Sequence, residues 1–162
     1  MAVFYHGAHS LFEKFTKSCA GSQGFKCGYG VYVTSVYTFA AQCTSDTNGD
    51  HYVYTVEIPE KSETNHIAYK QPVHKDIVHA VQKVLGIVLS SGETDDGWKF
   101  MEALEKHFRE GRKTVTVKDA KKVAEALLAV GVELIEWPYV WTDYSQGVNM
   151  TVLDAAKVKI IS

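Results

Sequence analysis

The sequence predicts an α+β fold, one domain over residues 1–162, with a split, mostly antiparallel β core and an inserted block of about three helices between Lys75 and Val130. Three observations carry that expectation. Runs rich in Val, Ile, Thr and Tyr fall at both ends of the chain. Apolar residues at helical spacing are confined to the middle. At 162 residues and 46% hydrophobic content, with no repeat, low-complexity tract or linker, the chain has the material for a single core.

In chain order, Ala2 to His6 reads as a strand that ends at His6-Gly7, where glycine lets the backbone turn or approach a ligand. Ser10 is a possible cap for a short segment carrying Leu11, Phe12 and Phe15. CAGSQGFKCGYG has four glycines between Gly21 and Gly30 and reads as a loop. Val31 to Thr34 has strand propensity, Ser35 can cap, and Tyr37 to Cys43 suits a packed helix. HYVYTVEI, His51 to Ile58, alternates with period two and stops at Pro59. An extended stretch around Ile67 to Tyr69 precedes helices over roughly Lys75 to Leu89, Trp98 to Phe108 and Val117 to Val130, the last closed by Gly131. Strands are expected at Val132 to Trp137, Val148 to Leu153 and Val158 to Ile161, with PYVWTDYSQG as an aromatic, polar loop.

Composition narrows the function classes. Lys plus Arg is 17 against 19 for Asp plus Glu, a balance that argues against nucleic acid or an anionic membrane as the main partner. No run approaches a membrane span and MAVFYHGAHS lacks the order of a signal peptide, so a cytoplasmic protein is expected. Cys19, Cys27 and Cys43 are odd in number and lack CxxC spacing, which suits a reducing compartment and gives no zinc signature. His66, His74 and His79 lack close ligand spacing, so no metal is expected. Neither GxGxxG, GxxxxGK[ST] nor GxSxG occurs. Taken singly, His6, Tyr32, Asn149 and Asp143 have ordinary roles in turns and packing, and the charges of EALEKHFREGRK and VKDAKKVAEA, Asp119 among them, read as solvent faces of helices.

In order, however, YHG at the start, GYGVYVTS before an Ala-bearing helix, YVYTVEIP and a late strand opening VNMTVLD form a pattern. In it the sequence resembles the ADP-ribosyltransferases of the diphtheria-toxin and poly(ADP-ribose) polymerase type. The family pattern falls on His6-Gly7, on Gly30-Val31-Tyr32 with Ala40, and on Asn149, five residues before Asp154. The whole chain also resembles the compact ADP-ribosyltransferase-like domains of phage and mobile-element polyvalent proteins, through YVYTVEIP, Lys70-Gln71-Pro72, AEALLAVGVELI and NMTVLD followed by KVKII.

The resemblance implies NAD as substrate, no metal, and transfer of ADP-ribose to a macromolecule. His6 would position the nicotinamide ribose with either ring nitrogen as donor, Gly7 would hold the carboxamide through its backbone, and Tyr32 would stack on the ring, with Ser35 and Tyr37 as further cofactor-binding residues. Asn149 departs from the family's usual Glu and carries no charge, so Asp143, or more weakly Glu136, is a candidate to supply a carboxylate to the oxocarbenium-like transition state. Loss of that Glu favours mono-ADP-ribosylation over chain building. Gln42 replaces the helix tyrosine of the family, which leaves Tyr37 and Tyr29 as candidate second stacking faces. By resemblance, such domains act on a host or defence protein, CRISPR components included. The alternative is a catalytically silent module on the same fold that binds and occludes a partner protein.

Overall fold

The structure, a computed structural model, describes residues 1–21, 24–42, 49–140 and 143–162; Cys43 and the tip of the PYVWTDYSQG stretch lie outside them. It is a mixed α+β fold. Seven strands form one sheet: β1 (Ala2–Ala8), β2 (Val31–Thr34), β3 (Tyr52–Ile58), β4 (His66–Ala68), β5 (Leu134–Val140), β6 (Asp143–Val152) and β7 (Lys159–Ile160). Their order is β4-β5-β6-β2-β1-β3-β7, with β4 and β5 parallel and every other pair antiparallel. The helices are α1 (Tyr37–Gln42), α2 (Lys75–Leu85), α3 (Gly97–Arg109) and α4 (Val117–Ala129).

The sheet is weakest in its middle. β1 runs in register with β3 from Ala2↔Ile58 to Ala8↔Tyr52, and β2 with β6 from Val31↔Val152 to Thr34↔Asn149, whereas β1 and β2 share the single pair Tyr5↔Thr34. Two well-paired halves therefore diverge on one side of that pair, and a cleft opens between them. Gly30 sets the close approach at the base of β2, because a Cβ there would run into the Val152 carbonyl oxygen.

Period two sorts the side chains onto the two faces. Leu134, Met150, Val152, Val31 and Val33 pack with Phe4, Phe15, Tyr54, Val56 and Ile58 in one apolar core. On the opposite face Ile67 and Ile135 meet Ile77 and Val81 of α2, Phe100, Met101 and Leu104 of α3, and Val123 and Leu127 of α4 in a second core. The three amphipathic helices exist as a layer because each has a stripe to bury against this half of the sheet.

Several sequence expectations are corrected. No helix follows Ser10: Tyr54 Oη accepts the Phe12 N–H at 2.7 Å and donates to the Ser10 carbonyl at 3.1 Å, holding that segment as a loop. The α2 helix stops at Leu85, where Gly86 adopts φ 64 and caps back to Gln82, so Val88 is 93% exposed rather than on a buried stripe. PYVWTDYSQG is largely strand, since β5 continues through Val140 and β6 begins at Asp143. Pro138 is tolerated because β4 pairs β5 only as far as Glu136 and a bulge lies between Pro138 and Val140, so its missing N–H faces an edge with no ladder to lose. Asp119 is 1% exposed, not a solvent-face charge. It completes a capping box with Thr116 and takes Arg112 Nη2 at 2.6 Å, which holds its carboxyl down at about 2.

Candidate functional site

The cleft at the split is a cavity of about 960 Å³, within the range that holds small-molecule ligands. Its floor is a single cross-strand row: Tyr5 pairs with Thr34, Thr34 with Asn149, and Asn149 with Trp137, so four adjacent strands present four side chains on one face. All four line the cavity, together with His6, Gly7, Tyr32, Phe39 and Ala40. The sheet thus brings together His6, Gly7, Tyr32 and Asn149, which lie up to 143 positions apart in the sequence.

His6 is 3% exposed and spans the opening between β1 and β2. Its Nδ1 lies 2.7 Å from the Tyr32 carbonyl oxygen, which can only accept, so the proton sits on Nδ1. Burial keeps the imidazole below its ordinary value of 6.5, so at neutral pH the ring is uncharged. That corrects the expectation that either nitrogen could donate: Nδ1–H is committed to Tyr32, and Nε2 offers a ligand a lone pair, an acceptor for a hydroxyl.

Tyr32 is fixed by the loop before it. Its hydroxyl accepts the Cys27 N–H and donates to the Gly28 carbonyl, both at 2.9 Å, and its ring meets Trp137 edge to face at 5.7 Å. The same loop is tied to β6, where Thr151 Oγ1 donates to the Cys27 carbonyl at 2.7 Å and accepts Trp137 Nε1–H at 3.2 Å. The rings of Tyr32 and Trp137 are therefore held in place by hydrogen bonds within the protein. Burial pushes the Cys27 thiol up to about 11, so it is held protonated at neutral pH.

Asn149 is the exceptional residue. It is 1% exposed, it lines the cavity, and both its Nδ2 and its Oδ1 are buried without a hydrogen-bond partner among the described residues. A buried amide with neither its donors nor its acceptor satisfied costs a few kcal/mol and marks a place where something else completes the bonding.

The carboxylates considered in its place are not there. Asp143 lies six residues up β6, roughly 20 Å along the strand. Its carboxylate accepts from Ser145 N–H, Ser145 Oγ and Gln146 Nε2 at 3.0, 2.6 and 3.2 Å, bonds that hold it below the ordinary range. Glu136 pairs in register with Met150, so it projects from the face opposite Asn149, where Lys61 Nζ lies at 2.9 Å. Ser35 and Tyr37 do not line the cavity either. Ser35 Oγ accepts the Val148 N–H at 2.9 Å instead of capping α1, and Tyr37 is 56% exposed, with its ring edge-on to Tyr5 at 5.4 Å. Tyr29 lies outside the lining and has Lys121 Nζ 5.4 Å from its ring centroid. Among the described residues the aromatic faces that line the cavity besides Tyr5 and Tyr32 are Phe12, Phe39 and Trp137, none of which the sequence singles out for the site. Alternation along β5 puts Trp137 on the face of Ile135, but it is the β5–β6 register, Trp137↔Asn149, that brings it to the cavity.

Among the described residues no group of three or more His, Cys, Asp or Glu could hold a metal ion, and no helix is long and apolar enough to cross a membrane. No protein-family model matches this chain, and no curated protein and no solved structure is significantly similar to it.

Proposed function

We propose that the chain binds NAD in the cleft at the sheet split and transfers a single ADP-ribose unit to a protein, releasing nicotinamide. The observation that carries the reading is the orphaned Asn149 amide, facing a cavity that also holds a neutral His6 and the aromatic pair Tyr32 and Trp137. A nicotinamide ribose has what these groups lack: a flat ring for the aromatic faces, hydroxyls to donate to His6 Nε2 and Asn149 Oδ1, and oxygens to accept from Asn149 Nδ2. Gly7 lines the cavity on β1, where its backbone would meet the carboxamide.

In the transfer the N-glycosidic bond breaks and its electron pair leaves with nicotinamide, which departs neutral. The acceptor atom of the target forms the new bond to the ribose carbon and gives up its proton. Asn149 Oδ1 supplies partial negative charge to the developing cation, less than a carboxylate would, which fits one slow transfer better than repeated elongation. By the resemblance noted above, the target is a host or defence protein in the cytoplasm where a mobile element acts.

One observation favours a second reading. No Asp or Glu lines the cavity among the described residues, so the fold could serve as a module that holds a ligand, or a partner protein, without turnover. Labelled NAD incubated with the protein and a host lysate separates the two. Labelling by wild type and not by His6→Ala identifies the transferase and its target. NAD binding without nicotinamide release identifies the silent module, and absence of both removes NAD altogether.

A further inference from the structure

Among the described residues the charge lining the cavity is one-sided. Acidic residues outnumber basic ones in the chain, 19 to 17, yet the formally charged described residues that line the cavity are Lys14 and Lys26. They come from different segments: Lys14 precedes the 3-10 turn Lys17–Cys19, and Lys26 belongs to the loop that Tyr32 and Thr151 pin to the sheet. Both are exposed at the mouth, and among the described residues neither has a carboxylate within 4.0 Å. Thr16 and Ser18 also line the cavity, and their hydroxyls hydrogen-bond each other at 2.7 Å, which leaves one hydroxyl proton of the pair to donate to an anion. The sheet floor opposite is aromatic and amide in character.

We propose that the loop side of the cavity is a phosphate subsite, in which Lys14 and Lys26 take a phosphate or diphosphate group of the ligand while its flat, hydroxyl-bearing part lies on the floor. The choice of a dinucleotide rests on the reading above; the anion preference rests only on the lining. Lysine is suited to this role as a point charge on a long stem, which holds a mobile anion without demanding one geometry.

The test is calorimetric titration of the whole chain with ADP-ribose, adenosine and nicotinamide riboside, the last two lacking any phosphate. Wild type is expected to bind ADP-ribose at least about tenfold more tightly than either nucleoside, the effect of one charge-assisted contact at an exposed rim. That preference should shrink as salt rises. It should also vanish in Lys14→Gln/Lys26→Gln, two surface changes that leave nucleoside affinity in place. Equal affinity of wild type for all three, no binding of any, or a preference that survives in the double variant overturns the proposal. Lysine-dependent ADP-ribose binding without nicotinamide release from NAD upholds the subsite and removes the transferase.

Discussion

Asn149→Leu should make the ligand-free protein more stable. Both polar atoms of the amide are buried and unpartnered among the described residues, and each such group costs about 1–3 kcal/mol relative to an apolar atom in the same space. Leucine keeps the volume and removes the unsatisfied groups, so a net gain of about 1–3 kcal/mol is expected after imperfect fit against Thr34 and Trp137 is allowed for. For a chain of 162 residues this raises Tm by about 3–9 °C, readable by scanning calorimetry. The same change should abolish ligand stabilisation: NAD at about 100 times Kd adds about 2.7 kcal/mol to wild type and nothing to the variant. A fall in Tm for ligand-free Asn149→Leu would refute the reasoning, because it would mean that the amide already has its partners.

Tyr32→Phe removes the hydroxyl shared by the Cys27 N–H and the Gly28 carbonyl, and chemical denaturation should report a loss of about 1–3 kcal/mol without change of fold. Gly30→Ala should fail to accumulate as folded protein, since its methyl meets the Val152 carbonyl, a backbone atom of the adjacent strand; a circular dichroism melt like that of wild type would contradict the close approach. Glu105 gives a pH signature. Burial, reinforced by Glu102, pushes its carboxyl up to about 7 from 4.5, so between those values the unfolded chain has released a proton that the folded chain keeps. Stability therefore falls as pH rises through that window, by about 1–2 kcal/mol once partial exposure is discounted. Glu105→Gln should match wild type at the acid end and exceed it above neutrality, and parallel pH–stability curves would rule the assignment out.

The strands and helices were legible wherever one periodicity dominated. HYVYTVEI alternated cleanly because β3 buries Tyr54, Val56 and Ile58 on one face, and α3 and α4 carried stripes that the second core required. What misled was local chemistry overridden by pairing. The polar, aromatic PYVWTDYSQG has the composition of a loop, but the β5–β6 ladder runs through most of it, and Pro138 is accommodated only because its neighbour β4 has already ended. The site was half legible. His6, Gly7, Tyr32 and Asn149 were named from order along the chain, and the sheet gathers them. Ser35, Tyr37 and Asp143 were named from proximity in sequence, and their side chains are spent elsewhere: on Val148, on Tyr5 and on the local turn. Trp137 and Asn149 share a face by strand parity across β5 and β6, a relation that needs the register, which the sequence does not state. The tautomer of His6 likewise depends on a carbonyl 26 residues away.

If the cleft between β1 and β2 takes NAD, Asn149 and His6 are the groups that meet it. The most direct measurement is an NMR titration of NAD into isotopically labelled protein, following the side-chain amide of Asn149, identified by its absence in Asn149→Leu, and the ring nitrogens of His6. The Asn149 amide protons and the His6 Nε2 signal are expected to move together and saturate at one ligand concentration, while Nδ1 stays protonated and donates to the Tyr32 carbonyl. Saturable binding that leaves both unmoved, or no binding at all, would contradict it.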